Sequence, residues 1–230
     1  FLLLAGVWPK TDRMLVHGSS NDGKRVMKQI CDLTAIVLAG GKSSRMGQNK
    51  ALLDWHGKHL IRHVVDQLRP VAKKVILVAK KPNDFGFLGV PCFKDLNPAS
   101  SPAVGITTGL FYSSTEFNFI LGCDAPFLNV VTVKRLYDAR EDYDVVVPAS
   151  DHGIEPLFGI YRKRCLAVLE EHLHRGIFAV RQILKDLRIK VLPTDSWTQE
   201  EKMSFFNMNT LAEYDSAQRY IQRRFLNYPG

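Results

Sequence analysis

A chain of 230 residues, 46% hydrophobic and 23% charged, is long enough for one domain with a substantial core and has the charge density of an ordinary globular protein. No apolar run approaches the roughly 18 residues that a membrane-spanning helix needs, so the sequence argues against a membrane partner. The net charge of +8 suits polyanionic partners such as nucleotides or phosphorylated cofactors; the lack of an arginine-rich run with interleaved aromatics argues against nucleic acid.

In chain order, the first stretch is irregular. Phe1 to Ala5 is apolar but too short for a secretory core and has no basic segment before it. Val7 to Lys28 has no helical or strand periodicity. Residues 1–33 therefore read as a poorly ordered extension, with Met27 as a sensible start, and truncation to Met27 is expected to leave melting temperature and turnover nearly unchanged. Regular patterning begins at Thr34. Thr34 to Leu38 is a short β-branched strand, followed by a glycine-rich loop from Ala39 to Lys50. Leu60, Ile61, Val64, Val65 and Leu68 recur at helical spacing, and Val75 to Ala79 is a second apolar strand of the kind a doubly covered parallel sheet uses. Pro102, with Ser101 as cap, opens a helix to about Tyr112. Phe117 to Leu121 is a strand that runs into Gly122-Cys123-Asp124, and Asn129 caps a helix to about Ala139. Strands are expected at 144–148, 156–161, 189–192 and 204–206, and helices at 163–174, 177–186 and 211–224. This alternation predicts an α/β fold, a Rossmann-like three-layer αβα arrangement with a mainly parallel sheet. Ligands of such sheets bind beyond the carboxyl ends of the strands, where the glycine loop and Asp124 both fall.

The cysteines, Cys31, Cys92, Cys123 and Cys165, form no C-x-x-C pair and no zinc-ligand cluster. They read as small buried hydrophobes in a reducing, cytoplasmic setting. His56, His59 and His63 lack a matching acid for a metal site; His172 and His174 sit at a helix end, where they serve the dipole or solvent. Trp8, Trp55 and Trp197 do not make a stacking platform.

The stretch richest in chemistry is Leu38-Ala39-Gly40-Gly41-Lys42-Ser43-Ser44-Arg45-Met46-Gly47-Gln48-Asn49-Lys50. Glycines directly after a strand let backbone approach a ligand, consecutive N–H groups form an anion-binding concavity, and Arg45 and Lys50 add positive charge. A triphosphate suits these parts. The loop is not a Walker A motif, because Ile36 stands where its first glycine belongs, and its adjacent glycines do not make G-x-G-x-x-G.

L-A-G-G-x-S-x-R-M-G-x-x-K-A-L-L resembles the molybdenum cofactor guanylyltransferases of the nucleotidyltransferase superfamily. The resemblance continues in order through Lys94-Asp95, Ser101-Pro102-Ala103-Val104-Gly105, Gly122-Cys123-Asp124-Ala125-Pro126-Phe127, Glu155 to Tyr161, and Phe206-Asn207-Met208-Asn209-Thr210. It implies a nucleotidyltransferase domain over 34–230 that joins GMP from GTP to the phosphate of molybdopterin, with Mg²⁺ as cofactor and transient contact with molybdoenzymes or their chaperones. By the same resemblance, Leu38, Ala39, Gly40 and Gly41 hold the nucleotide through backbone groups. Lys50 binds phosphate, Asp95 the nucleoside side, Asp124 both Mg²⁺ and nucleotide, and Asn207 and Asn209 line the pterin side. Three positions depart from the family pattern: Ser101 replaces a glycine, Leu211 a proline, and Val78 an asparagine at the end of the second strand.

The residues fit nucleotidyl transfer without the resemblance. Mg²⁺ takes carboxylate and phosphate oxygens and keeps waters, so one aspartate can anchor it. Arg45 and Lys50 can neutralise charge on the leaving phosphates. Arg45, Lys50 and Asp124 are thus the candidate catalytic residues. Two other readings stand beside this one: cytidylyl transfer to the pterin or to a sugar or isoprenoid phosphate, and a non-catalytic nucleotide-binding module. The adjacent glycines favour GTP over CTP, and the retained carboxylate favours an enzyme over a binder.

Overall fold

A computed structural model describes residues 29–40, 49–151 and 153–226. Residues 1–28 of the extension expected over 1–33, and the roles expected of Gly41 and Arg45, lie outside the described residues. The chain runs β1 (Ile30–Leu38), β2 (Asp54–Trp55), β3 (Lys58–His59), α1 (Leu60–Leu68), β4 (Ala72–Val78), β5 (Cys92–Phe93), α2 (Pro102–Tyr112), β6 (Phe117–Gly122), α3 (Val130–Asp138), β7 (Val145–Ser150), β8 (Gly153–Ile154), β9 (Phe158–Arg162), α4 (Cys165–His174), α5 (Val180–Ile183), β10 (Ile189–Pro193), α6 (Gln199–Met203) and α7 (Leu211–Leu226).

The eight-stranded sheet has the order β10-β7-β9-β6-β1-β4-β5, with β8 beside β7. β4 and β6 flank β1 in parallel, while β9 runs antiparallel between β6 and β7. This is the mainly parallel α/β sheet the alternation predicts. Burial along β1 shows why its apolar run is continuous. Leu33, Ala35 and Val37 join a core with α1 and α3, while Ile36 and Leu38 join one with α2 and α4. Successive side chains point to opposite faces, and both faces are covered.

Most expected elements fall within two residues of their places. Ser101 caps α2 by accepting from the Ala103 N–H at 3.2 Å, and Asn129 caps α3 by accepting from Val131 at 2.9 Å. Five readings need correction. The sheet takes in residues 30–33, which the sequence pattern had left in the extension; Leu33 is fully buried. Residues 204–206 are a turn, not a strand: Thr198 and Glu201 close a capping box that nucleates α6, and Ser204 Oγ then accepts from the Asn129 N–H. The helix expected over 177–186 is only the short α5 followed by a 3₁₀ turn at Leu184–Asp186. Cys31 is exposed, although all four cysteines are free. His172 is buried with Nε2 2.9 Å from Asp186 and does not face solvent. Trp55 and Trp197 are core residues. Among the described residues no helix is long and apolar enough to cross a membrane.

Helix α2 lies close on β1 because its facing positions are glycines. A Cβ at Gly105 would stand 3.2 Å from Leu38 Cδ2, and one at Gly109 would collide with the Ile36 side chain. Gly109→Ala is expected to destabilise the fold by about 1–3 kcal/mol, the usual cost of overpacking a filled core. Urea unfolding will show it as a lower midpoint with unchanged slope.

His63 on α1 reaches the Pro126 carbonyl, 2.9 Å from Nε2. Burial pushes its pKa below the ordinary 6.5; the Pro126 bond opposes this, the His56 and Lys58 charges add to it, and Asp66 opposes. The unfolded chain therefore takes up the proton first, and stability present in full above the unfolded pKa is lost as pH falls through it toward the folded value. His63→Gln, which can still donate to Pro126, is expected to flatten the fall in melting temperature between pH about 7.5 and about 5.5. A fall as steep as that of the parent would assign the acid sensitivity elsewhere.

Candidate active site

The site is organised by one row of the sheet. Leu38 pairs in register with Val78 and with Gly122, and Val78 pairs with Phe93. These four residues end β1, β4, β6 and β5. The ladder runs one step further: Ala39 N–H donates to Val78 at 2.8 Å, Ala79 N–H to Phe93 at 2.9 Å, and Cys123 N–H to Leu38 at 3.1 Å. Two residues past the row stand Gly40, Lys80, Asp95 and Asp124, all at the carboxyl ends of the strands, where ligands of open α/β sheets bind.

At the β6 end, the Asp124 carboxylate lies 3.6 Å from Lys50 Nζ. Lys50 begins a 3₁₀ turn whose cap is Asn49, which accepts from the Ala51 N–H at 3.2 Å. Ala51 is fully buried and anchors this turn in the core. Lys50 Nζ also donates to Asn209 Oδ1 at 3.0 Å. Asn209 is held in turn at the start of α7, where Glu213 accepts from the N–H groups of Asn209 and Thr210, and Thr210 Oγ1 accepts from the Glu213 N–H. That is a second capping box, and Met208 N–H ties the segment to the Asp124 carbonyl at 3.0 Å. Asp124, Lys50 and Asn209 therefore come together from distant parts of the chain. Asn207 is exposed, and its carbonyl accepts from Asn209 Nδ2.

Burial pushes the Asp124 carboxyl above the usual carboxylate range, against the pull of Lys50. Among the described residues one cation, Lys50, stands beside this desolvated carboxylate, which is suited to a further one. Among the described residues no three His, Cys, Asp or Glu side chains form a metal cluster. The donor set is thus one hard oxygen ligand beside Lys50, which fits a divalent ion that completes its shell with phosphate oxygens and water. Gly122 matters here: a Cβ on it would come within 2.6 Å of Asp124 Oδ1, so the carboxylate folds back into space that only glycine leaves.

At the β5 end a small cleft is lined by Leu38, Gly40, Val78, Lys80, Asp95 and the start of α2. Asp95 is half-buried, and burial raises its pKa while the Lys80 charge opposes. Lys80 Nζ donates to Ser100 Oγ at 3.0 Å. Ser101, which departs from the family glycine, donates to the Phe178 carbonyl at 2.7 Å and so joins the cap of α2 to the segment before α5. A Cβ at Gly40 would meet Asp95 Oδ2 at 3.6 Å, an ordinary contact. The Ala39 N–H is spent on Val78, so backbone N–H contact from this loop falls to Gly40 and beyond. Gly122, Lys80 and Ser100 were not singled out by the sequence reading. A glycine closing an otherwise apolar strand two residues before an aspartate was the available signal for the first; the other two had none.

Comparison with known proteins gives the chain its family. Residues 35–191 match the family model described as the MobA-like NTP transferase domain. A probable molybdenum cofactor guanylyltransferase of Carboxydothermus hydrogenoformans is 39% identical over 186 residues, covering 80% of this chain and 94% of the relative. The molybdenum cofactor guanylyltransferase of Desulfosudis oleivorans is 35% identical over 194 residues, covering 83% and 96%. The crystal structure of molybdopterin-guanine dinucleotide biosynthesis protein A from Archaeoglobus fulgidus superposes with a TM-score of 0.73 at 23% identity, covering 83% of this chain and 99% of that one, and shares the fold. With its family model spanning residues 35–191 and relatives this similar along nearly their whole length, the chain belongs to the MobA-like NTP transferase family.

Proposed function

We propose that the chain transfers GMP from GTP to the phosphate of molybdopterin or its molybdenum-loaded form, releasing pyrophosphate. The observation that carries the transfer reaction is the convergence of Lys50, Asn209 and Asp124 at a strand end beside the glycine loop; the names of the relatives carry the choice of substrates.

An oxygen of the pterin phosphate attacks the α-phosphorus of GTP in line, and the bond to the β-phosphate oxygen breaks. The attacking phosphate is already ionised near neutral pH, so no general base is needed. The Leu38, Ala39, Gly40 and Gly41 segment holds the nucleotide, Gly40 and Gly41 supplying its backbone N–H groups because that of Ala39 is engaged in the sheet, with Asp95 on the nucleoside side. Lys50, with Arg45, places positive charge on the departing phosphates, where preorganised charge is worth most. Asn209 orients Lys50, and Asn207 and Asn209 border the pterin. Asp124 would hold Mg²⁺, which would supply Lewis-acid charge to the phosphoryl oxygens when bound. The four free cysteines suit a cytoplasmic setting.

Pyrophosphate release in the presence of GTP, Mg²⁺ and molybdopterin tests the transfer, and its absence would leave a nucleotide-binding module. GTP is expected to win over CTP by at least about tenfold, or about 1.4 kcal/mol, when both are supplied equally and the dinucleotide product is weighed. A product carrying mainly CMP would replace guanylyl by cytidylyl transfer.

A further inference from the structure

The register row gives the site a direction. Across the sheet, β5, β4, β1 and β6 are consecutive neighbours, and their ends carry Asp95, Lys80, Gly40 and Asp124. Neighbouring strands lie about 4.8 Å apart, so the row from Asp95 to Asp124 spans about 14 Å. A nucleoside triphosphate laid along it with its phosphates at Lys50 and Asp124 brings its base to Lys80 and Asp95. The floor between them is apolar: Leu38, Val78, Pro102 and Gly105 line the same cleft. That is suited to the flat face of a base, with one cation and one anion left to meet its edge.

Resting on the proposed transfer from GTP, we propose that Lys80 reads the base, donating to guanine O6 while the Asp95 carboxylate accepts from N1–H and the 2-amino group. Lys80 follows Val78 by two residues, at the end of a strand whose alternation sends both to one side, and both line the cleft. Its ammonium is steadied by Ser100 Oγ at 3.0 Å and closes no ion pair on Asp95 among the described contacts, so both charges face the cleft ready for a ligand edge. Guanine presents an acceptor at O6 and donors at N1 and N2. Adenine and cytosine present an amino donor where guanine has O6, and a ring acceptor next to it. With either of these the ammonium meets a donor and the carboxylate meets a lone pair. A site that leaves buried polar groups unpaired rejects the wrong ligand strongly. The partial burial of Asp95 adds to this, because burial raises its pKa and the Lys80 charge opposes that rise; loss of Lys80 weakens the acceptor as well as removing the donor.

The test compares the full chain with Lys80→Met and Lys80→Arg. Binding of guanosine and of GTP is read by calorimetry, and choice between GTP and CTP by the mass of the pterin product. Lys80 is exposed, and melting curves check that each variant is folded. Lys80→Met is expected to weaken guanosine and GTP by a similar factor, about tenfold or more, and to lose a similar factor in preference for GTP over CTP; Lys80→Arg, which keeps a donor, should recover most of both. If Lys80→Met weakens GTP but leaves guanosine untouched, the ammonium serves a phosphate and the inference is overturned. It is equally overturned if the parent prefers GTP and Lys80→Met keeps that preference, a result that leaves the proposed transfer standing. A parent chain that prefers CTP, or binds neither nucleotide, overturns the proposed transfer and this inference together.

Discussion

Asp124→Asn is expected to cut turnover by at least about 100-fold, the scale set by removing one preorganised charge from a phosphoryl-transfer site, without loss of the fold. The carboxylate sits two residues beyond β6, 3.6 Å from Lys50, where it has no packing role. Burial raises its pKa, so the ionised form costs the fold free energy at neutral pH instead of supplying it. Asparagine keeps the shape and removes that cost, and Lys50 retains its bond to Asn209 at 3.0 Å. The melting temperature of the variant should therefore match or exceed that of the parent. Pyrophosphate release at saturating GTP and Mg²⁺ checks the first half of the expectation, and a thermal melt the second. Parental turnover at limiting Mg²⁺ would remove Asp124 from the reaction.

The second large effect is expected from a residue that carries no chemistry. Gly122→Ala should lower turnover by about 100-fold, the cost of misplacing a reacting group by roughly 1 Å, with little change in stability. Gly122 is buried, paired with Leu38, and outside the positive-φ set, so its backbone accepts alanine. The obstacle is the new Cβ, which would stand 2.6 Å from Asp124 Oδ1. A carboxylate can swing away from a methyl group at little cost to the fold, but in doing so it leaves its place beside Lys50. The concentration of Mg²⁺ needed for half-maximal rate should rise together with the fall in turnover. Parental turnover at an unchanged Mg²⁺ requirement would show that the observed Asp124 orientation is not the one the reaction uses.

The sequence by itself determined the strands and helices whose periodicity has only one burial solution. β1, β4 and β6 read as continuous apolar runs because both faces of a central parallel strand are covered, and α1, α2 and α3 carried either a clean apolar stripe or an unambiguous cap. It also marked Lys50 and Asp124 as candidates by their places in the glycine loop and at a strand end, and Asp95 through the family resemblance alone. Where local signals competed, it misled: the Ser204 to Phe206 stretch has strand-like composition, yet the Thr198–Glu201 capping box commits the preceding residues to a helix and leaves a turn. The tertiary structure alone decided what depends on register between strands far apart in sequence. Only the pairing of Leu38 with Val78 and Gly122, and of Val78 with Phe93, brings Gly40, Lys80, Asp95 and Asp124 onto one edge. Only the tie of the segment before α7 to the end of β6, through the Met208 N–H on the Asp124 carbonyl, delivers Asn209 to Lys50 over a separation of 159 residues. No local pattern encodes such juxtapositions, because they arise from the order in which strands pack, which is settled by burial of the whole sheet rather than by any one segment.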